Sequence, residues 1–249
     1  MFVTGDTLLF LVLGALAGGF INGLSGTGTA LFALGFYLVV LDPITAVAIV
    51  ALMSVIAGLQ GLWVVRAEIR RFPLRLLRFM LPGLAGVPFG ILLLNSIDSD
   101  TLRIGIAVLL ILYGGYFSFR TALPAFKPHT PFADTLVGLS GGILGGAAAV
   151  SGALPVIWLS MRPWPKSEIR AVLQPFNISV LSTTVSVLFL KGAYDATALQ
   201  ALMVTVPCGL VAAQIGIYVF RHLSDTLFRR LLISLTLLMG IGILVPYLV

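Results

Sequence analysis

Two stretches of this chain concentrate residues that can bind a ligand without carrying charge. Asn22, Ser25, Gly26, Thr27, Gly28 and Thr29 share one glycine-dense stretch, and Ser151 and Gly152 end another. Gln174 and Asn177 flank Pro175 a little further on. Glycine lets a ligand approach backbone amides closely, while hydroxyls and carboxamides add donors of their own. A helix that restarts after such a glycine, here after Gly28 and after Gly152, points free N–H groups and its positive dipole end into the break. The ligand that suits these ten positions is a small anion. Two plainer readings stay open: glycines at this density also allow close helix packing, and Gln174 and Asn177 can simply join helices. Ser182, Thr183 and Thr184 are expected to bond to carbonyls of their own helix.

The elements that must position these residues follow from composition. Of 249 residues, 59% are hydrophobic and 10% charged, with 27 glycines and 13 prolines, and the mean hydropathy is +1.11. A soluble fold of this size has too little interior for so much apolar side chain. The stretches free of Asp, Glu, Lys and Arg run 7–41, 43–65, 79–97, 104–119, 135–161, 171–190, 196–220 and 231–249. A bilayer crossing takes about 20 such residues, so the chain is an all-α polytopic membrane protein of eight to ten segments. Runs 7–41 and 135–161 are too long for one crossing and too short for two. Both hold the glycine-dense stretches, so each is expected to be two short helices meeting at an irregular break inside the membrane.

The two broken runs also align with each other. A shift of 123 residues sets Gly18-Gly19 on Gly141-Gly142, Gly23 on Gly146 and Ala30 on Ala153. Pro43 answers to Pro165, Pro82 to Pro207, and Ser99-Asp100-Thr101-Leu102 recurs as Ser224-Asp225-Thr226-Leu227. The chain therefore divides into repeats at 1–120 and 132–249, joined by a linker at 121–131. Basic loops orient membrane proteins toward the cytoplasm. The cluster Arg66, Arg70, Arg71, Arg75 and Arg78, the linker Lys127, and the loop with Arg162, Lys166 and Arg170 are assigned there. Both termini then face the opposite, periplasmic side of the inner membrane. Each repeat has three crossings and one broken pair, an odd number, so the second repeat is expected to be inverted relative to the first, as in secondary transporters.

The break in each half, followed by a proline-led turn and an apolar helix, resembles the TauE/SafE family of sulfite and organosulfur-anion permeases. Gly23-Leu24-Ser25-Gly26-Thr27-Gly28-Thr29 matches the first copy of its glycine motif, with threonine at two glycine positions. Gly146 to Gly152 matches the second, with Ala147, Ala148 and Ala149 at glycine or serine positions and Pro155 following. The resemblance spans Leu11 to Tyr247 and implies a secondary transporter of small anions, with sulfur oxyanions such as sulfite or organosulfonates first. A carboxylate transporter or an anion channel would share the same features, and a non-transporting membrane subunit is the remaining alternative.

Other classes find less support. The net charge of +6 is dispersed over short loops and forms no nucleic-acid groove. His129 and His222 have no neighbouring ligands, so neither a metal nor a cofactor is expected. No histidine or carboxylate falls inside an apolar run, which argues against an embedded enzyme and a proton relay. Binding by amides, hydroxyls and dipoles needs no buried Arg or Lys. Cys208 reads as a small packed hydrophobe. No basic residue precedes Arg66, so the start is expected to remain in the mature protein. The expected partners are the substrate anion and the bilayer, with a homo-oligomer compatible.

Overall fold

A computed structural model describes residues 5–94, 99–118 and 130–245, in which eleven helices and no strand are found. They are α1 (Gly5–Ser25), α2 (Thr29–Tyr37), α3 (Pro43–Val64), α4 (Arg66–Arg71), α5 (Pro73–Leu94), α6 (Ser99–Ser118), α7 (Pro131–Ala148), α8 (Ala153–Ser160), α9 (Lys166–Leu190), α10 (Ala196–His222) and α11 (Asp225–Leu244). Five of them, α1, α3, α5, α9 and α10, are long and apolar enough to cross a membrane. The chain is an all-α polytopic membrane protein. Most of the linker expected at 121–131 lies outside the described residues.

Both glycine-dense runs do break, at residues 26–28 and 149–152, but not into two short helices. At 1.5 Å per residue, α1 and α7 are about 31 and 27 Å long, and their partners α2 and α8 only about 14 and 12 Å. The apolar stretch upstream of each break is uninterrupted by glycine pairs that bend it, because those glycines serve packing. Each pair therefore folds as a long helix with a short one returning beside it: a Cβ at Gly18 would touch Ala33 and Thr29, and one at Gly14 would strike Tyr37.

The helices pair across the two halves. The most extensive contacts join α1 with α10 and α5 with α7, and the two interfaces use equivalent residues. A Cβ at Gly19 would lie 2.3 Å from the Gly209 carbonyl oxygen, and one at Gly142 would lie 1.9 Å from that of Gly83. Gly23 meets Ala213 as Gly146 meets Val87. Without a hydrophobic drive between helices in lipid, such backbone-to-backbone approach supplies the attraction. Helices α6 and α11 pack on each other with Gly114 on Leu237 and Gly240 on Ile111. As one number falls the other rises, so these two helices run antiparallel. The same holds for α3 and α9, where Gly58 faces Ile178 and Gly61 faces Gln174 and Arg170.

Local signals set the ends. Asp42 accepts from the N–H groups of Ile44 and Thr45 and caps α3, and Ser224 accepts from Leu227 to cap α11. The repeated Ser-Asp-Thr-Leu element thus opens a helix at both places, α6 beginning at Ser99 and α11 at Asp225 behind its Ser224 cap. Trp63, Tyr116 and Tyr218 stay largely exposed, as interfacial anchors would. Thr183 and Thr184 bond to the carbonyls of Ser179 and Val180 as expected.

Close packing gives a direct stability test. Gly142→Ala places a methyl inside van der Waals range of the Gly83 carbonyl and should lower the melting temperature of purified protein markedly. Overpacking of this kind costs about 1–3 kcal/mol. Gly35→Ala, on an exposed helical position with nothing within 4 Å, should leave it unchanged or raise it, since glycine costs about 1 kcal/mol in a helix interior.

Candidate functional site

The backbone at the two breaks takes the same left-handed turn at aligned positions. Gly26 has φ +86° and Gly28 φ +92°. Ala149, which the 123-residue shift places on Gly26, has φ 56° and ψ 19°. A non-glycine residue there costs about 1–2 kcal/mol, so the fold imposes this turn even where the sequence resists it. After each turn a helix restarts as expected, α2 at Thr29 and α8 at Ala153. Their N-cap residues Gly28 and Gly152 offer no side-chain hydrogen bond, so their first-turn amides have no side-chain cap.

The breaks meet. A Cβ on Gly152 would lie 1.9 Å from Thr27 Oγ1. Asn177 ties them together through one atom: Thr27 Oγ1 donates to Asn177 Oδ1 at 3.2 Å and Ser151 Oγ donates to the same oxygen at 2.6 Å. A second chain of bonds runs from α9 to the start of α2. Gln174 Nε2 donates to Asn22 Oδ1 at 3.4 Å, and Asn22 Nδ2 donates to Thr29 Oγ1 at 2.7 Å and to the Ser54 carbonyl at 3.3 Å. Ser25 Oγ donates to the carbonyls of Thr27 and Ile21 and pins the turn. All ten positions singled out in the sequence are brought together and buried. Several hydroxyls expected to be free donors are instead engaged: Thr27 and Ser151 give their protons to Asn177, and Thr29 accepts.

Arg170 is the residue that sequence reasoning missed. It was assigned to a cytoplasmic loop, and no buried Arg was expected. Helix α9 begins four residues earlier, at Lys166, so Arg170 already lies in the helix and is 0% exposed. Arg170, Gln174 and Asn177 are spaced i, i+4, i+7 and share one face of α9. Arg170 Nε donates to Gln174 Oε1 at 3.2 Å, and the guanidinium carbon stands 4.4 Å from the centre of the Phe220 ring. The Lys166–Arg170 spacing, running without a break into an apolar helical face, was the available signal.

The profile of the family described as sulfite exporter TauE/SafE matches residues 10–243 of the chain. The chain belongs to this family. The match takes in both breaks, Arg170 and all eleven helices in whole or part. No curated protein and no solved structure matched the chain.

A buried ion pair was also unforeseen, because Arg162 reads as a loop residue and Asp134 precedes the charge-free run. Asp134 sits in the first turn of α7, where the helix starts at Pro131, ahead of the charge-free run. It is paired with Arg162 at 3.0 Å and accepts from Trp158 Nε1 at 2.7 Å. This pair clasps the two ends of the α7–α8 hairpin. Among the described residues no group of three or more His, Cys, Asp or Glu side chains is placed to hold a metal.

The bond that ties the first break to α9 can be measured by a double-mutant cycle. Thr27→Val and Asn177→Ala should each lower thermal stability, and together they should lose less than the sum, because the shared bond is counted once. Strict additivity would mean that Thr27 and Asn177 do not interact. Ala149→Gly should raise stability by about 1 kcal/mol by relieving the left-handed strain.

Proposed function

We propose that this chain is a secondary transporter of small anions, with a sulfur oxyanion such as sulfite, or an organosulfonate, as substrate. The observation that carries this is the meeting of two helix breaks, each followed by an uncapped helix N-terminus, around side chains whose unpaired atoms are mostly donors. The buried polar atoms at the breaks without a hydrogen-bond partner are Nη1 and Nη2 of Arg170, Nδ2 of Asn177 and Oγ of Ser54. Irregular backbone at membrane depth is tolerated where protein or a cavity satisfies it. An anion with several oxygens is the ligand that such donors suit. Membership of a sulfite exporter family supports the choice of sulfur within that class.

In this reading the halves 1–120 and 132–249 are inverted repeats joined by the 121–131 linker. The antiparallel pairing of α6 with α11, and of α3 with α9, supports inversion, because a two-fold axis along the membrane normal would leave equivalent helices parallel. The substrate binds at Asn22, Ser25, Gly26, Thr27, Gly28, Thr29, Ser151, Gly152, Gln174 and Asn177, through backbone amides as much as side chains. The arginine-rich α4 and the loops near Arg162 and Arg229 face the cytoplasm, and both termini face outward across the inner membrane.

Proteoliposomes loaded with buffer should accumulate labelled sulfite above its external concentration when a gradient is imposed. Equilibration alone would indicate a channel, and exclusion of sulfite, sulfonates and carboxylates alike would end the proposal. In a Cys208→Ala background, an impermeant thiol reagent should label Lys191→Cys in intact spheroplasts and leave Arg71→Cys protected. The opposite pattern would reverse the orientation.

A further inference from the structure

Arg170 is the largest fully buried side chain, and both terminal nitrogens lack a hydrogen-bond partner among the described residues. A buried charge left unpaired is costly, and proteins normally pair it. The carboxylate nearest in sequence, Glu168, is turned to Arg75 instead. The Phe220 ring offers a cation–π contact, which accepts no hydrogen bond. Gln174 fixes the guanidinium from the Nε side, leaving the two-pronged Nη side unsatisfied. That side lies against α3, with Arg170 Nη2 2.8 Å from where a Cβ on Gly61 would stand, while the stem of Arg170 and the Gln174 side chain pack on Gly26 of the first break.

The fold does not require this arginine. The Pro43–Pro165 match places Ala48 at the equivalent position of α3 and Leu52 opposite Gln174. Ala48 is fully buried and Leu52 packs on an apolar cluster. The charge is thus an addition to one half, on the side of the breaks nearer α4.

We propose that Arg170 is the charge-bearing binding residue for the transported anion, its Nη1 and Nη2 forming a fork for two oxygens of a sulfite, sulfonate or carboxylate group. This rests on the anion-transport reading and deepens it. Bidentate guanidinium–oxyanion pairs are planar and directional, so lysine at this position keeps the charge but loses the fork. Asn177 Nδ2, on the same helix face, supplies a third donor further along. The guanidinium is sealed from solvent here, so the structure is a closed state that must open to load.

The test uses the purified full-length chain in detergent, with thermal unfolding followed against rising sulfite, methanesulfonate and acetate in separate series. Wild type should be stabilised by at least one anion. Arg170→Met should lose that response while melting, without anion, at or above the wild-type temperature, because a matching hydrophobe removes an unpaired charge. Arg170→Lys should bind about 10-fold or more weakly, since each charge-assisted bond is worth about 10- to 150-fold in affinity. An unaltered anion response in Arg170→Met, or wild-type affinity in Arg170→Lys should the methionine variant not fold, would overturn the assignment and leave the transport reading standing. No anion response in wild type, together with no uptake into proteoliposomes, would overturn both.

Discussion

The architecture depends on one constraint: backbone that leaves helical geometry inside a bilayer must have its N–H and C=O groups satisfied without water. This chain breaks twice, and each break is held by side chains from elsewhere. Asn177 accepts from both, through Thr27 and Ser151, and Asn22 links the start of α2 to α3 and α9. An unsatisfied buried polar group costs about 1–3 kcal/mol, which makes this small carboxamide network decisive. The glycine interfaces between α1 and α10, and between α7 and α5, then hold the hairpins at a separation where that network can form. Packing and site are thereby coupled, since widening either interface would part the breaks.

The satisfaction is incomplete, and its incompleteness has a sign. What stays unpaired at the breaks is a set of donors led by the Arg170 guanidinium. Among the described residues the buried acid is Asp134, at the far end of the α7–α8 hairpin from the break, where Arg162 neutralises it. In the proposed reading such a site would exclude cations electrostatically and accept oxyanions with one fixed positive charge. In the proposed inverted-repeat arrangement the two hairpins enter from opposite sides and share the enclosure equally, although only the second half carries the charge. Exchange of the two halves between equivalent packings would alternate which side the enclosure faces, while the charge would stay on α9.

Much of this was legible in the sequence. The positions of the breaks and the restart of helices after Gly28 and Gly152 follow from glycine placement and run length. Those are local and periodic signals. Two things were not. The sequence reading makes α1 and α7 too short, because it counts Gly18, Gly19, Gly141 and Gly142 as helix breakers when they are contact points for neighbouring chain. In the sequence Arg170 reads as a loop residue, because positive charge near an apolar run is ordinarily an orientation signal. Burial of a charge depends on where neighbouring helices end, and α3, α10 and the first break all close over that one turn of α9. Such long-range coincidence leaves little trace in a single sequence. Asp134 escaped for the same reason, its partner Arg162 lying beyond the end of α8.

The central claim is that the anion is held where the two breaks meet, against Arg170. Selenite reproduces the charge and pyramidal oxygens of sulfite and scatters X-rays anomalously. An anomalous difference map from crystals grown with selenite should show a peak within hydrogen-bonding distance of the Arg170 guanidinium and the residues of the breaks. Selenite density confined to the exposed arginines of α4, with none at the breaks, would contradict the account.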